Sequence, residues 1–216
     1  MYAVIINGSP RVKKYSNTDK IIEKFAAGFR EQGGSFDIYE VSDRCQWDKA
    51  REAFCDNDNI IIALPLYVEC VPGLLMEFLE TLPKKDSRTK LSFILQSGFA
   101  EGAQLRCGER YLQILAEQLG CEYGGTLVKG DNFSIRFSEG KERDKLTAPY
   151  RKMGQIFGQD GNFFASACRK FTSFEVFPLP LKILLIFIFK TVQRRSFEKI
   201  ARQWGCSKPL DYQAYK

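Results

Sequence analysis

The sequence predicts an α/β protein built on a doubly wound parallel sheet with a C-terminal helical extension. Three observations predict it. Short runs rich in Val, Ile and Leu recur as buried strands, segments with helical apolar spacing stand between them, and the alternation repeats five times before residue 130. A chain of 216 residues can hold one domain with a sizeable core and an appendage. The division expected is 1–170 for the sheet domain and 171–216 for the extension.

Each element has its own reason. Residues 2–7, YAVIIN, form a short apolar run that suits a strand buried on both faces. Ser16, Asn17 and Thr18 can cap a helix, Ile21, Ile22, Phe25, Ala26 and Phe29 recur at helical spacing, and Gly33-Gly34 stops it. Residues 35–41, SFDIYEV, alternate as an edge or half-exposed strand does. A short helix is expected over 47–55, and 59–67, NIIIALPLY, is the most strongly apolar strand. Residues 71–82 open with Pro72 and carry Leu74, Leu75, Phe78, Leu79 and Leu82 on one face. A strand over 90–98, a helix over 103–120 closed by Gly120, and a last strand over 121–130 complete the pattern.

Composition narrows the function. Seven scattered Cys form no C-x-x-C pair and there is no His, so zinc-finger and iron–sulfur spacings are missing and no metal site is expected. An odd number of unpatterned Cys suits a reduced, cytoplasmic compartment. The start, MYAVIINGSP, has no charged n-region, so no signal peptide is expected. The net charge of +6 is unevenly spread. Residues 1–140 hold 17 Lys+Arg against 20 Asp+Glu, and 141–216 hold 15 against 6. The basic third lacks a recognised nucleic-acid fold, so no nucleic-acid partner is expected.

In such sheets ligands sit beyond the C-terminal strand ends, and three strands end there in unusual loops. The first, NGSPRVKKYSNTDK, places Ser9, Arg11, Ser16, Asn17 and Thr18 before a helix N-terminus, where backbone N–H groups favour an anion. Arg11 can supply a planar fork for phosphate oxygens. G-x-x-x-x-G-K-[ST] and G-x-G-x-x-G are both absent, which excludes a P-loop and the dinucleotide fingerprint. An ordinary polar βα loop with an N-cap suits the same residues. The second loop, PLYVECVPG, offers Pro65, Leu66, Tyr67 and Val68, a surface for a planar heteroaromatic or simply a packed strand end. The third, QSGFAEG, offers Gln96 and Ser97 to bond ring heteroatoms, with Gly98 and the aromatic Phe99 beside them, or a flexible surface loop.

Taken in order, INGSPR followed by SNT, then PLYVECVPGLLMEFLE, then QSGFAEGAQ resemble the flavodoxin-like NAD(P)H-dependent oxidoreductases, the NADPH-dependent FMN reductase and quinone reductase group. The resemblance covers about residues 1–130. It implies the strand order 2-1-3-4-5 in a flavodoxin-like fold. It implies FMN, with its phosphate on Ser9, Arg11, Ser16, Asn17 and Thr18 and its ring bordered by Pro65, Leu66, Tyr67, Val68, Ser97, Gly98 and Phe99. It also implies NAD(P)H as co-substrate, a small electron acceptor (a quinone, a nitro or azo compound, or free flavin) and a homodimer. The cofactor carries the hard chemistry, so no side chain is assigned as catalytic. Two other functions stay open: an FMN-binding electron carrier without pyridine-nucleotide activity, and a flavin-less adaptor at a membrane surface or nucleic acid.

The resemblance fades in the last third. Residues 183–189 are seven uninterrupted apolar residues between Lys182 and Lys190. Even counted from Val176 the run is shorter than the roughly 20 residues a membrane span needs. Three readings remain: a buried or dimer-interface helix, peripheral contact of residues 176–202 with an anionic membrane, or a lid over the flavin. Residues 197–205 read as a final amphipathic helix.

Overall fold

Period-two alternation along the strands divides the core between the two faces of one sheet. The computed structural model describes residues 1–85, 88–172, 174–213 and 215. Its strands are β1 (Tyr2–Asn7), β2 (Ser35–Glu40), β3 (Asn59–Pro65), β4 (Lys90–Gln96) and β5 (Glu122–Lys129). They pair in the order β2-β1-β3-β4-β5, all parallel, the flavodoxin-like order. Val4, Ile6, Ile60, Ile62 and Leu64 join one apolar cluster, while Ala3, Ile5, Ile61 and Ala63 join the other. β2 lies at an edge, which explains its alternating, half-exposed sequence.

Helices α2 (Trp47–Asp56), α3 (Gly73–Leu79) and α4 (Ala103–Gln118) cover the first cluster through Trp47, Phe54, Leu75, Phe78, Leu105 and Leu112. Helices α1 (Asn17–Glu31) and α5 (Gly140–Asp160) cover the second through Ile21, Phe25, Phe29, Tyr150, Met153 and Phe157. The 21-residue α5 is not expected from the sequence, which shows only polar and basic stretches there. Pro149 lies inside it, and Gly154 and Gly158 read as breakers. The glycines are contacts: a Cβ on Gly154 would collide with Phe25 O, and one on Gly28 with Arg151 O. The two helix backbones therefore touch, with Lys24–Asp144 (2.7 Å) and Arg151–Glu31 ion pairs beside them.

The chain forms two compact units, 1–175 and 176–216. The first runs past the expected boundary at 170 because Phe174 and Glu175 are tied to the start of α4. Phe174 O and Glu175 O accept from Gly102 N and Ala103 N at 2.8 and 3.0 Å, and Glu175 pairs with Arg106. The short helix α6 (Ser166–Phe171) precedes this tie. The second unit holds α7 (Leu179–Ile188), a π turn (Phe189–Gln193) and α8 (Arg194–Gln203) in unbroken succession. The final helix thus starts three residues before the expected 197 and continues the apolar run. No described helix is long and apolar enough to cross a membrane.

Candidate functional site

Register brings the three loops together. Ala63 stands opposite both Asn7 and Ile94, and Pro65 opposite Gln96, so β1, β3 and β4 end side by side. Beyond them lies a cavity of about 360 Å³, within the range of roughly 300–1,000 Å³ usual for small-molecule sites. Ser9, Arg11, Asn17 and Thr18 line it from the first loop. Pro65, Leu66, Tyr67 and Val68 line it from the second, and Ser97, Gly98 and Phe99 from the third. Ser16 alone of the expected residues does not line the cavity; it is fully buried behind it.

Ser16 works through its neighbours. Its Oγ accepts from Asp19 N at 3.2 Å, capping α1, and donates to Ser9 Oγ at 3.0 Å. Ser9 Oγ also accepts from Arg11 N at 3.3 Å, which leaves the Ser9 hydroxyl proton for a ligand. Thr18 Oγ1 accepts from Gln96 Nε2 at 3.3 Å, so its proton is free in the same way. The first amides of a helix lack intrahelical partners, so Asn17 and Thr18 add two N–H donors. Asn17 Nδ2 donates to Asn132 O at 2.7 Å, while its buried Oδ1 has no partner and can take a ligand hydroxyl. This donor set, with one orphaned acceptor beside it, fits a phosphate ester carrying a polyol chain.

The second loop is a tight turn. Tyr67 and Cys70 exchange backbone hydrogen bonds at 3.0 and 3.1 Å, and Val68 and Glu69 between them have φ of 50° and 67°. Positive φ suits glycine or asparagine and strains a β-branched residue, so Val68 stores strain at the cavity rim. Leu66 N is spent on Gln96 O at 2.8 Å. Tyr67 OH accepts from Arg11 Nε at 3.1 Å, which joins the first two loops. Tyr67 and Phe99 are both exposed apolar surface, the flat faces a planar ring needs.

Three lining residues lie outside the expected set, Tyr15, Phe133 and Arg136, and Gln96 lines the cavity beside Ser97. Tyr15 lies within a loop already singled out. Phe133 and Arg136 belong to a fourth loop, the 3-10 turn Phe133–Arg136 after β5; that β5 ends at the same sheet edge was the available signal. Asn132 anchors this loop. It donates through N to Ser97 O (3.0 Å) and accepts at Oδ1 from the buried Tyr150 OH (3.1 Å).

A carboxyl pair lies behind the first loop. Glu40 Oε2 accepts from Asn7 Nδ2 at 2.8 Å, and Asn7 Oδ1 accepts from Ser9 N at 3.1 Å. Burial, then the Asp19 carboxylate beside it, pushes the Glu40 carboxyl up to about 7, against the opposing pull of Lys13 and Asn7. The folded state therefore keeps a proton that the unfolded chain gives up above the ordinary value of 4.5. The stability that Glu40 contributes therefore falls as pH rises from 4.5 to about 7, and its contribution is level above that. Glu40→Gln, permanently neutral, is expected to remove this slope. Allowing for solvent screening of a partly buried group, it should raise stability at about pH 8 by about 1–2 kcal/mol. Urea midpoints at acid and alkaline pH check it; a variant that follows the parent at both would remove Glu40 as the source.

A larger groove of about 810 Å³ lies along β5, lined by Arg106, Tyr123, Phe164 and Glu175 among others. It is not at the strand ends, and its Arg106 is already paired with Glu109 and Glu175. Among the described residues no cluster of three His, Cys, Asp or Glu could hold a metal ion.

A five-stranded parallel sheet in this order, with a donor-rich turn after β1 and aromatic loops after β3 and β4 around one strand-end cavity, defines a flavodoxin-like protein. The model of the NADPH-dependent FMN reductase family matches residues 1–135, and the chain belongs to that family. No curated protein sequence matches the chain. Solved structures resemble its fold. The NAD(P)H:quinone oxidoreductase from Methanothermobacter marburgensis is 12% identical with a TM-score of 0.56, over 75% of this chain and 99% of that one. An FMN-dependent NADH-azoreductase from Bacillus anthracis, in complex with FMN, is 13% identical with a TM-score of 0.55, over 74% and 98%. An NADH:FMN oxidoreductase is 17% identical with a TM-score of 0.56, over 78% and 93%.

Proposed function

We propose that this protein is an NAD(P)H-dependent oxidoreductase that holds FMN in the strand-end cavity and reduces a small acceptor such as a quinone or an azo compound. One observation carries the reading: three separate loops converge on a single cavity that is rich in free donors at one end and aromatic at the other. The amides of Asn17 and Thr18, the hydroxyls of Ser9 and Thr18 and the Arg11 guanidinium would hold the phosphate. Asn17 Oδ1 would accept from the ribityl chain. Pro65 to Val68 and Ser97 to Phe99 would border the ring, with Tyr67 and Phe99 excluding water from its faces. Bound FMN supplies two-electron chemistry, taking hydride from a nicotinamide and passing the electrons on. The chain's own part is binding, orientation and shielding, which is consistent with a site that lacks histidine.

The visible absorbance of the purified protein with added FMN tests this, followed by anaerobic NADPH and NADH. Oxidised-flavin bands that bleach are expected. Bound flavin that stays oxidised would leave an electron carrier, and no uptake of FMN would end the flavin reading.

Seven free thiols support placement in the cytoplasm. A homodimer rests on the family resemblance, and light scattering reads it. Peripheral membrane contact through residues 176–202 is supported by the exposed apolar side chains of that segment.

A further inference from the structure

The helix running from α7 through the π turn to α8 contains no buried residue. In α7, Ile183, Leu184, Ile186 and Phe187 are each more than half exposed. At 100° per residue these four fall within one arc of about 160°, and Leu181, Leu185 and Ile188 carry the apolar surface over the far side, so the helix is apolar around most of its circumference. A helix of that kind is normally buried, in a core or in lipid. α8 is different: Arg195, Lys199 and Arg202 share one face, and Phe197, Ile200 and Trp204 share the opposite one.

Charge decides between the occupants. Residues 176–216 hold eight Lys+Arg against two Asp+Glu, which accounts for the whole net charge of +6. Residues 1–175 are therefore neutral overall. A second copy docked on this helix would bring +6 against +6. An anionic lipid surface would complement it. Length sets the depth: the 14 residues from Leu179 to Val192 span ~21 Å, short of the ~30 Å hydrocarbon core.

We infer that residues 179–204 dock the protein onto an anionic bilayer surface without crossing it. The apolar side chains of α7 enter the boundary between headgroups and acyl chains. Arg195, Lys199 and Arg202 lie against the lipid headgroups, and Trp204 sits at the interfacial level, where tryptophan is favoured. This specifies the peripheral contact proposed above and rests on it, but it does not depend on the flavin.

Vesicle co-sedimentation of the full chain with FMN present tests it, using phosphatidylcholine alone and phosphatidylcholine mixed with phosphatidylserine. Binding to the mixed vesicles and not to the neutral ones is expected, and it should weaken in high salt. The triple variant Arg195→Gln/Lys199→Gln/Arg202→Gln is expected to bind about 100-fold more weakly, and Phe187→Ser about 10-fold more weakly. FMN titration of every variant reports whether the first unit is folded. A protein that sediments with anionic vesicles yet takes up no FMN supports the docking and removes only the flavin reading. Equal binding to both vesicle types overturns the proposal, as does no vesicle binding by a chain that takes up FMN. A dimer that Phe187→Ser dissolves, with no vesicle binding, assigns the helix to a second copy and also overturns it.

Discussion

Gly154→Ala is expected to cost the folded protein about 2–3 kcal/mol. The sign runs against local propensity, since alanine is better than glycine inside a helix by about 1 kcal/mol. Contact decides it. A Cβ at this position would collide with Phe25 O and lie 2.9 Å from Phe25 C and 3.0 Å from Phe29 N. These are backbone atoms, so no side chain can rotate away, and α1 and α5 would have to separate. Separation opens the cluster that Phe25, Phe29, Tyr150 and Phe157 fill. Gly73 is the control: it starts α3, and a Cβ there would meet nothing within 4 Å, so Gly73→Ala should be neutral or slightly stabilising. Urea unfolding of the three proteins reads the difference. A Gly154→Ala protein as stable as its parent would mean the two helices do not touch here. Because α1 presents Asn17 and Thr18 to the cavity, FMN affinity should fall with stability in the Gly154 variant.

The same glycines explain what the sequence hid. The strands were legible because Val, Ile and Leu cluster in short runs bounded by turns, and their burial on both faces needs only a parallel sheet. α1 was legible because Ile21, Ile22, Phe25 and Phe29 sit at helical spacing behind a cap at Ser16. α5 was not, because much of its contact with α1 is glycine backbone, which carries no apolar signal, and Pro149 argues against a helix. At the site, the three loops could be read because each follows an obvious strand. Phe133 and Arg136 were missed because they follow β5, whose glycines and polar ends hide that it finishes at the same edge. Asn132 is harder still: a lone asparagine in a polar stretch gives no hint that its backbone and side chain tie loop one, loop three and α5 together.

Arg11→Ala is expected to raise the dissociation constant for FMN by about 10–150-fold, the equivalent of one charge-assisted hydrogen bond of about 1.5–3 kcal/mol. Arg11 Nε is already committed to Tyr67 OH, and the guanidinium carbon lies 5.7 Å from the Tyr67 ring centroid. In the proposed site the terminal nitrogens would take the phosphate, and the bond to Tyr67 would hold the fork in place before a ligand arrives. Riboflavin, which lacks the phosphate, separates the two roles. The loss should fall on FMN while riboflavin binding changes little, so the preference for FMN should shrink in the variant. Arg11→Lys keeps the charge but loses the planar fork and the Tyr67 partner, and should recover only part of the affinity. Quenching of flavin fluorescence measures all of these. Equal losses for FMN and riboflavin would show that Arg11 acts through Tyr67 on the ring end. The phosphate would then rest on the α1 amides and the Ser9 and Thr18 hydroxyls alone.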